Sequence, residues 1–207
     1  MQFDPAAHSP ADGYLLLANL VVPRPIAWVS TVGPTGVVNL APFSFFNAVG
    51  SNPPYVVISI GQRENGVPKD TTTNILAGGG FVVNLVTESL LMAMNISAAD
   101  FPPDEGELSA LGLVAEPSVR IAAPRIAAAE ASLECKLFRS IELGANTLFI
   151  GEVVMFHVAD SLVRPGMRID DFAPIGRLGS PSMYCRTNDR FEVPRVTYAH
   201  WLKDERG

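Results

Sequence analysis

Residues 23–54, PRPIAWVSTVGPTGVVNLAPFSFFNAVGSNPP, constrain this chain more than any other stretch. Ile26-Ala27-Trp28-Val29-Ser30-Thr31-Val32 is rich in β-branched and aromatic residues, and a second apolar run follows at Val37-Val38-Asn39-Leu40-Ala41. Gly33-Pro34-Thr35-Gly36 separates them. Two short apolar runs across a Pro/Gly turn predict an antiparallel hairpin. The next piece, Pro42-Phe43-Ser44-Phe45-Phe46-Asn47, follows neither the alternation of a strand nor the turn of a helix. It mixes small polar residues with phenylalanines. Such a segment brings backbone amides and small side chains close to a flat ligand while its rings anchor it to the core. Phe43 is read as one of those anchors.

The remaining pattern is that of a strand-rich chain. A loosely held arm is expected over residues 1–12 and a single domain over residues 13–207. A short apolar helix over residues 14–22 is stopped by Pro23 and Pro25. Strands are predicted over residues 55–60, 81–86, 129–138 and 147–158, with a turn near Gly144-Ala145-Asn146. Short helices are predicted over residues 70–76, with Asp70 as the N-cap, and 88–97. Residues 98–124 carry four prolines and little periodicity, so they are expected to form a long excursion. The tail from Pro165 reads as loop with short pairings near residues 175–178 and 183–186. The fold class is therefore mainly β, a closed or half-closed antiparallel barrel with a few short peripheral helices.

Composition narrows the partners. With 48% hydrophobic and 17% charged residues and a mean hydropathy of +0.24, the chain is apolar for a monomer. Either a second copy covers part of its surface, or an Ala-rich core raises the hydropathy without a sticky face. The net charge of −6 and the absence of a basic cluster argue against nucleic acid and against an anionic membrane surface. No apolar run is long enough to span a bilayer, and the first residues lack the pattern of a signal peptide. Cys135 and Cys185 form neither a CxxC motif nor a disulfide framework, which suits a reducing cytoplasm.

Elimination then limits the chemistry. The histidines are His8, His157 and His200, of which only His157 lies inside an apolar strand, where it reads as structural. Nucleophile-elbow, P-loop, HExxH and dinucleotide Gly-rich patterns are absent, and Cys135 reads as a small buried hydrophobe. An enzyme with so few catalytic side chains draws its chemistry from a bound cofactor. Lys69-Asp70-Thr71-Thr72-Thr73-Asn74 places a cation and hydroxyls at a helix start, where unpaired N–H groups suit a phosphate. The same residues also describe an ordinary capped surface helix. Ser30 and Thr31 offer further hydroxyls, or simply complete a strand.

RPIAWVST, NLAPFSFFN, NPPYVVIS and KDTTTNI followed by FVVNLV, in that order, resemble the flavin reductase-like proteins of the FMN-binding split β-barrel, in particular the flavoredoxin-like branch. The resemblance covers residues 10–185. It implies a homodimer with FMN in a groove between protomers. By position, Ser30 and Thr31 are expected on the ribityl-phosphate side, and Ser44, Phe45, Phe46 and Asn47 along the isoalloxazine ring, with Phe45 also readable as a core anchor. Ser59, Ile60 and Gly61 are expected beside the ring, with Lys69, Asp70 and Thr71 at the phosphate. Arg177 and Tyr184, in RLGSPSMYCR, resemble a late segment that approaches the flavin. The implied activity is hydride transfer from NADH or NADPH to the flavin, which needs placement and exclusion of water but no protein acid or base. Two alternatives stay open: an electron carrier that serves a protein acceptor, and a non-catalytic split-barrel subunit.

Overall fold

The computed structural model describes residues 1–64, 66–102 and 105–204. In chain order the main elements are α1 (Pro10–Leu20), β1 (Arg24–Pro25), β2 (Ala27–Val32), β3 (Val38–Phe43), β4 (Phe46–Ser51), β5 (Pro54–Gly61), α2 (Asp70–Gly78), β6 (Gly80–Leu85) and α3 (Leu91–Ile96). They are followed by α4 (Glu107–Ala110), β7 (Ala115–Glu116), β8 (Arg125–Ile126), β9 (Ala131–Leu143) and β10 (Asn146–Val158). Two short ribbons, β11 (Val163–Arg164) with β12 (Arg168–Ile169) and β13 (Gly176–Arg177) with β14 (Tyr184–Cys185), precede α5 (Tyr198–Asp204).

Seven strands form one antiparallel sheet in the order β3-β2-β6-β9-β10-β5-β4. Its two outer strands, β3 and β4, are consecutive in the chain, with only Ser44 and Phe45 between them. Three Cα steps span at most about 11 Å, so the sheet must curl until its edges meet at that link. The predicted barrel follows, closed by a covalent stitch where ladder hydrogen bonds stop. β1, β13 and β14 form a separate small sheet alongside β4.

The long apolar run of β2 is explained by burial on both faces. Ala27 and Val29 face the barrel interior, where they join Val56, Ile58, Ile60, Phe81, Val83 and Phe149. Trp28, on the opposite face, joins a second core with Leu40, Met94, Leu108, Ile126 and Ile175. Its indole N–H donates to Ser97 Oγ at 2.8 Å, so the one polar atom of the ring is satisfied. α2 packs across β2 and β3 and buries Ile75 in the barrel interior.

Several boundaries differ from the sequence reading, each for a local reason. α1 begins at Pro10 rather than residue 14, because Ser9 and Asp12 form a reciprocal capping box. Residues 10–12 therefore belong to the helix and not to an arm. The N-cap of α2 is Lys69, without a side-chain bond; Asp70 is the first helical residue and pairs with Arg63 at 2.6 Å. β4 was not foreseen as a strand: it is an edge with an exposed burial pattern and a register shift between Ala48 and Gly50, so it carries no clean alternation. β9 continues to Leu143, beyond residue 138, because pairing with β10 extends to the turn at Gly144. Residues 98–124 do form an excursion, but it folds α4 and β7 over the second core. The hairpin β2–β3 and the pairing of β13 with β14 match the sequence expectation. No helix among the described residues is long and apolar enough to cross a membrane.

Candidate functional site

The seam of the barrel opens into a cavity of about 730 Å³. Pro42, Phe43, Ser44 and Phe45 form one wall, Ser59 and Gly61 at the end of β5 a second, and Tyr14 and Leu17 of α1 a third. Leu143 and Asn146, from the tip of the β9–β10 hairpin, complete it. Ser44 and Phe45 lie between strands, so their amides are not committed to a ladder, while Phe45 C=O accepts from Ser59 N–H at 2.8 Å. Asn146 Nδ2 donates to Ser59 Oγ at 3.1 Å. The lining is thus apolar over most of its area with small hydroxyl and amide groups at one edge, the composition that suits a flat heteroaromatic ligand.

Two smaller chambers share the Pro42–Phe43 wall. One, of about 80 Å³, is lined by Arg63, Lys69, Asp70, Thr71, Asp100 and Glu107, among others. Arg63 is taken by Asp70. Glu107 Oε2 accepts from Leu40 N–H at 2.8 Å, and burial raises its pKa against that bond. Lys69 forms no ion pair among the described residues, and its Nζ lies 5.9 Å from the centre of the Phe43 ring. The other chamber, of about 300 Å³, is lined by Arg177, Ser182, Tyr184, Asn95 and Met94, and shares Tyr14, Pro42, Phe43 and Ser44 with the main cavity.

The chain matches the model of the flavin reductase like domain over residues 19–191. It is a flavin reductase-like protein. An uncharacterized protein of Deinococcus radiodurans is 42% identical over 207 residues, which covers 96% of this chain and 91% of the relative. Among solved structures, nitrilotriacetate monooxygenase component B from Bacillus cereus superimposes with a TM-score of 0.89 at 37% identity, covering 93% of this chain and 98% of that one. A 2-nitrobenzoate 2-nitroreductase of Pseudomonas fluorescens gives a TM-score of 0.87 at 35% identity, covering 96% and 98%.

In this flavin reductase-like protein the residues expected from the sequence divide sharply. Ser44, Phe45, Ser59 and Gly61 line the main cavity, and Lys69, Asp70 and Thr71 line the adjoining small one. Ile60 points the other way: at 1% exposure its side chain is part of the barrel core, as strand alternation between Ser59 and Gly61 requires. Ser30 and Thr31 are fully buried, with their hydroxyls bonded inside the chain. Ser30 Oγ donates to Pro124 C=O at 2.5 Å, and Thr31 Oγ1 accepts from Asn74 Nδ2 at 3.1 Å. Phe46 packs against the barrel core and Asn47 is exposed with its Oδ1 turned to Ala48 N–H, so neither side chain lines the cavity. Phe43 is buried in the core, as expected, while one face of it still borders all three chambers. Asp70 offers only its backbone to an anion, since its carboxylate is negative and paired; Thr71 Oγ1 accepts from Asn39 Nδ2 at 2.9 Å.

The structure adds Arg24, which lies between Pro23 and Pro25. It is 7% exposed. Nη1 donates to Ala18 C=O at 2.6 Å and Val21 C=O at 2.7 Å, Nη2 to Leu178 C=O at 3.0 Å, and Nε reaches Ser44 Oγ at 3.5 Å. Its guanidinium also sits 5.6 Å from the Phe45 ring centre. One side chain therefore ties the end of α1, the β13–β14 ribbon and the Ser44–Phe45 seam together. Its position between two prolines was the only hint. Tyr14, Leu17, Leu143 and Asn146 gave none, because they reach the cavity only when distant elements converge.

Proposed function

We propose that this flavin reductase-like protein is an FMN-dependent oxidoreductase that draws electrons from NADH or NADPH. The observation that carries the reading is the cavity at the barrel seam, where Ser44, Phe45, Ser59 and Gly61 meet around a space of about 730 Å³. That volume and its mixed lining fit a ring system of flavin size, and the neighbouring chamber offers Lys69 and the first amides of α2 to a phosphate. Bound FMN would supply the two-electron redox chemistry. The chain's own groups would do the rest: seam amides and Ser59 orient the polar edge of the ring, Tyr14, Leu17 and Phe45 exclude water, and Lys69 holds the charge. No side chain is assigned to move a proton. The similarity to a monooxygenase component and to a nitroreductase supports delivery of the electrons to a further acceptor.

The open rim of the cavity supports a homodimer. Leu143 lines the cavity yet is 53% exposed, and Phe138 nearby on β9 is 56% exposed. A second copy set against the β9–β10 tip would cover these side chains and close the site. The test is steady-state oxidation of NADH and of NADPH with and without added FMN, together with the visible spectrum of the purified protein and identification of any released flavin. Turnover with either nucleotide is expected. Absence of turnover with both removes the reductase reading and leaves an electron carrier, and a colourless protein that takes up no FMN in titration removes the cofactor as well.

A further inference from the structure

Arg24 of β1 and Arg177 of β13 are direct cross-strand partners. Like charges opposite each other on a ladder destabilise it unless a counter-charge is near. Among the described residues neither arginine forms an ion pair with a carboxylate. Arg24 is satisfied by three backbone carbonyls, and Arg177 by neutral acceptors, the Tyr184 hydroxyl at 2.8 Å and Pro181 C=O at 3.3 Å. Burial lowers the pKa of Arg24 most; Tyr14 opposes that, and the nearby charge of Arg177 adds a smaller lowering. The Tyr184 ring lies 4.9 Å beneath the Arg177 guanidinium and fixes its plane.

Arg177 and Tyr184 line the chamber of about 300 Å³, together with the amide of Asn95 and Ser182, whose hydroxyl donates to Pro181 C=O; none of its lining residues is acidic. An oxyanion entering there would meet a planar guanidinium, the Tyr184 O–H and an amide, with a second positive charge behind. The chamber shares Tyr14, Pro42, Phe43 and Ser44 with the main cavity, so a molecule anchored by its anion in one has its remainder directed into the other. We propose that this chamber is an oxyanion subsite, which receives the carboxylate or phosphate of the small molecule that exchanges electrons in the main cavity. The assignment rests on the flavin reading of that cavity, but the subsite itself does not need flavin to be observed.

The experiment is calorimetric titration of the purified protein, flavin-loaded and flavin-free, with benzoate and with inorganic phosphate. Variants Arg177→Gln and Arg177→Lys are compared with wild type, and FMN affinity is measured in parallel. Wild type is expected to bind at least one of the two anions. Arg177→Gln should weaken that anion at least tenfold while changing the FMN dissociation constant less than threefold, and Arg177→Lys should retain part of the affinity. Tighter binding of benzoate assigns the subsite to a carboxylate substrate, and tighter binding of phosphate assigns it to the dinucleotide. If neither anion binds, or if anion affinity is the same in Arg177→Gln, the subsite is overturned. A loss of FMN affinity in step with the anion would overturn it too, because Arg177 would then belong to the cofactor. If the protein takes up no flavin but the flavin-free form still shows the Arg177-dependent anion, the failure lies with the cofactor reading alone.

Discussion

At the scale of single residues, the seam and its surroundings owe their geometry to a few side chains. Lys69 is the clearest case on the phosphate side. A charge-assisted bond from its ammonium contributes about 1.5–3 kcal/mol, so Lys69→Ala is expected to weaken FMN binding roughly 10- to 150-fold. A fluorescence titration that returned the wild-type dissociation constant would remove Lys69 from the site. Gly151 is decisive for the barrel in another way. A Cβ there would lie 2.5 Å from the Phe81 ring and 3.1 Å from Cys135 Cβ, in a core with no flexible side chain to yield. Gly151→Ala should therefore destabilise the fold by about 1–3 kcal/mol through overpacking, read as a lower denaturant midpoint at unchanged slope. The phenylalanines, by contrast, were legible only in part. Phe43 was recognised as an anchor from its neighbours, whereas nothing local to the sequence distinguishes Phe45 on the cavity wall from Phe46 against the core.

At the scale of elements, the excursion between α3 and β8 is tied to β9 by a buried carboxylate. Glu134, on β9, accepts from Val119 N–H and Arg120 N–H, each at 2.7 Å, and lies 2.6 Å from His157 Nε2 on β10. Burial on its own would raise its pKa, but the two amides and His157 outweigh that and hold it below the ordinary glutamate value. A carboxylate whose folded pKa is depressed contributes stability that is fully present above its unfolded pKa and is lost as the pH falls through the folded one. Stability is thus expected to decline below the ordinary glutamate range of about 4. Glu134→Gln should cost about 1–3 kcal/mol at neutral pH, because one buried N–H loses its acceptor. The gap to wild type should narrow on acidification, and chemical denaturation across that pH range checks it. A gap independent of pH would mean that the charge of Glu134 does not hold the excursion. The place of His157 in an apolar strand points to a structural role, and its contact with Glu134 fits that role.

At the scale of the whole molecule, the apolar composition and the exposed tip of the β9–β10 hairpin belong together. Phe138, Ile141 and Leu143 are all exposed on one strand end. Sedimentation is expected to give a dimer at micromolar concentration. The double variant Phe138→Glu with Ile141→Glu is expected to sediment as a monomer and to bind FMN more weakly, because the rim of the cavity is left uncovered. A wild-type protein that stayed monomeric on its own and with FMN would place the partner surface elsewhere, or show that the Ala-rich core accounts for the hydropathy.

The sequence by itself determined the strands of the barrel core, the β2–β3 hairpin, the pairing of the tail segments and the family. These depend on short-range patterns: β-branched runs, Pro/Gly turns and four ordered motifs. It also marked Ser44, Phe45, Ser59 and Lys69, which line adjoining cavities, because those residues belong to the motifs themselves, and Gly61 lies two residues past one of them. Only the tertiary structure decided that β3 and β4 are the two edges of one sheet, which puts the two residues between them at the seam. Only it buried Ser30, Thr31 and Ile60, since the face a strand residue takes depends on what packs against it. The same holds for Arg24 and Arg177. They lie 153 positions apart in the chain, and no local pattern records that they stand opposite each other across a ladder.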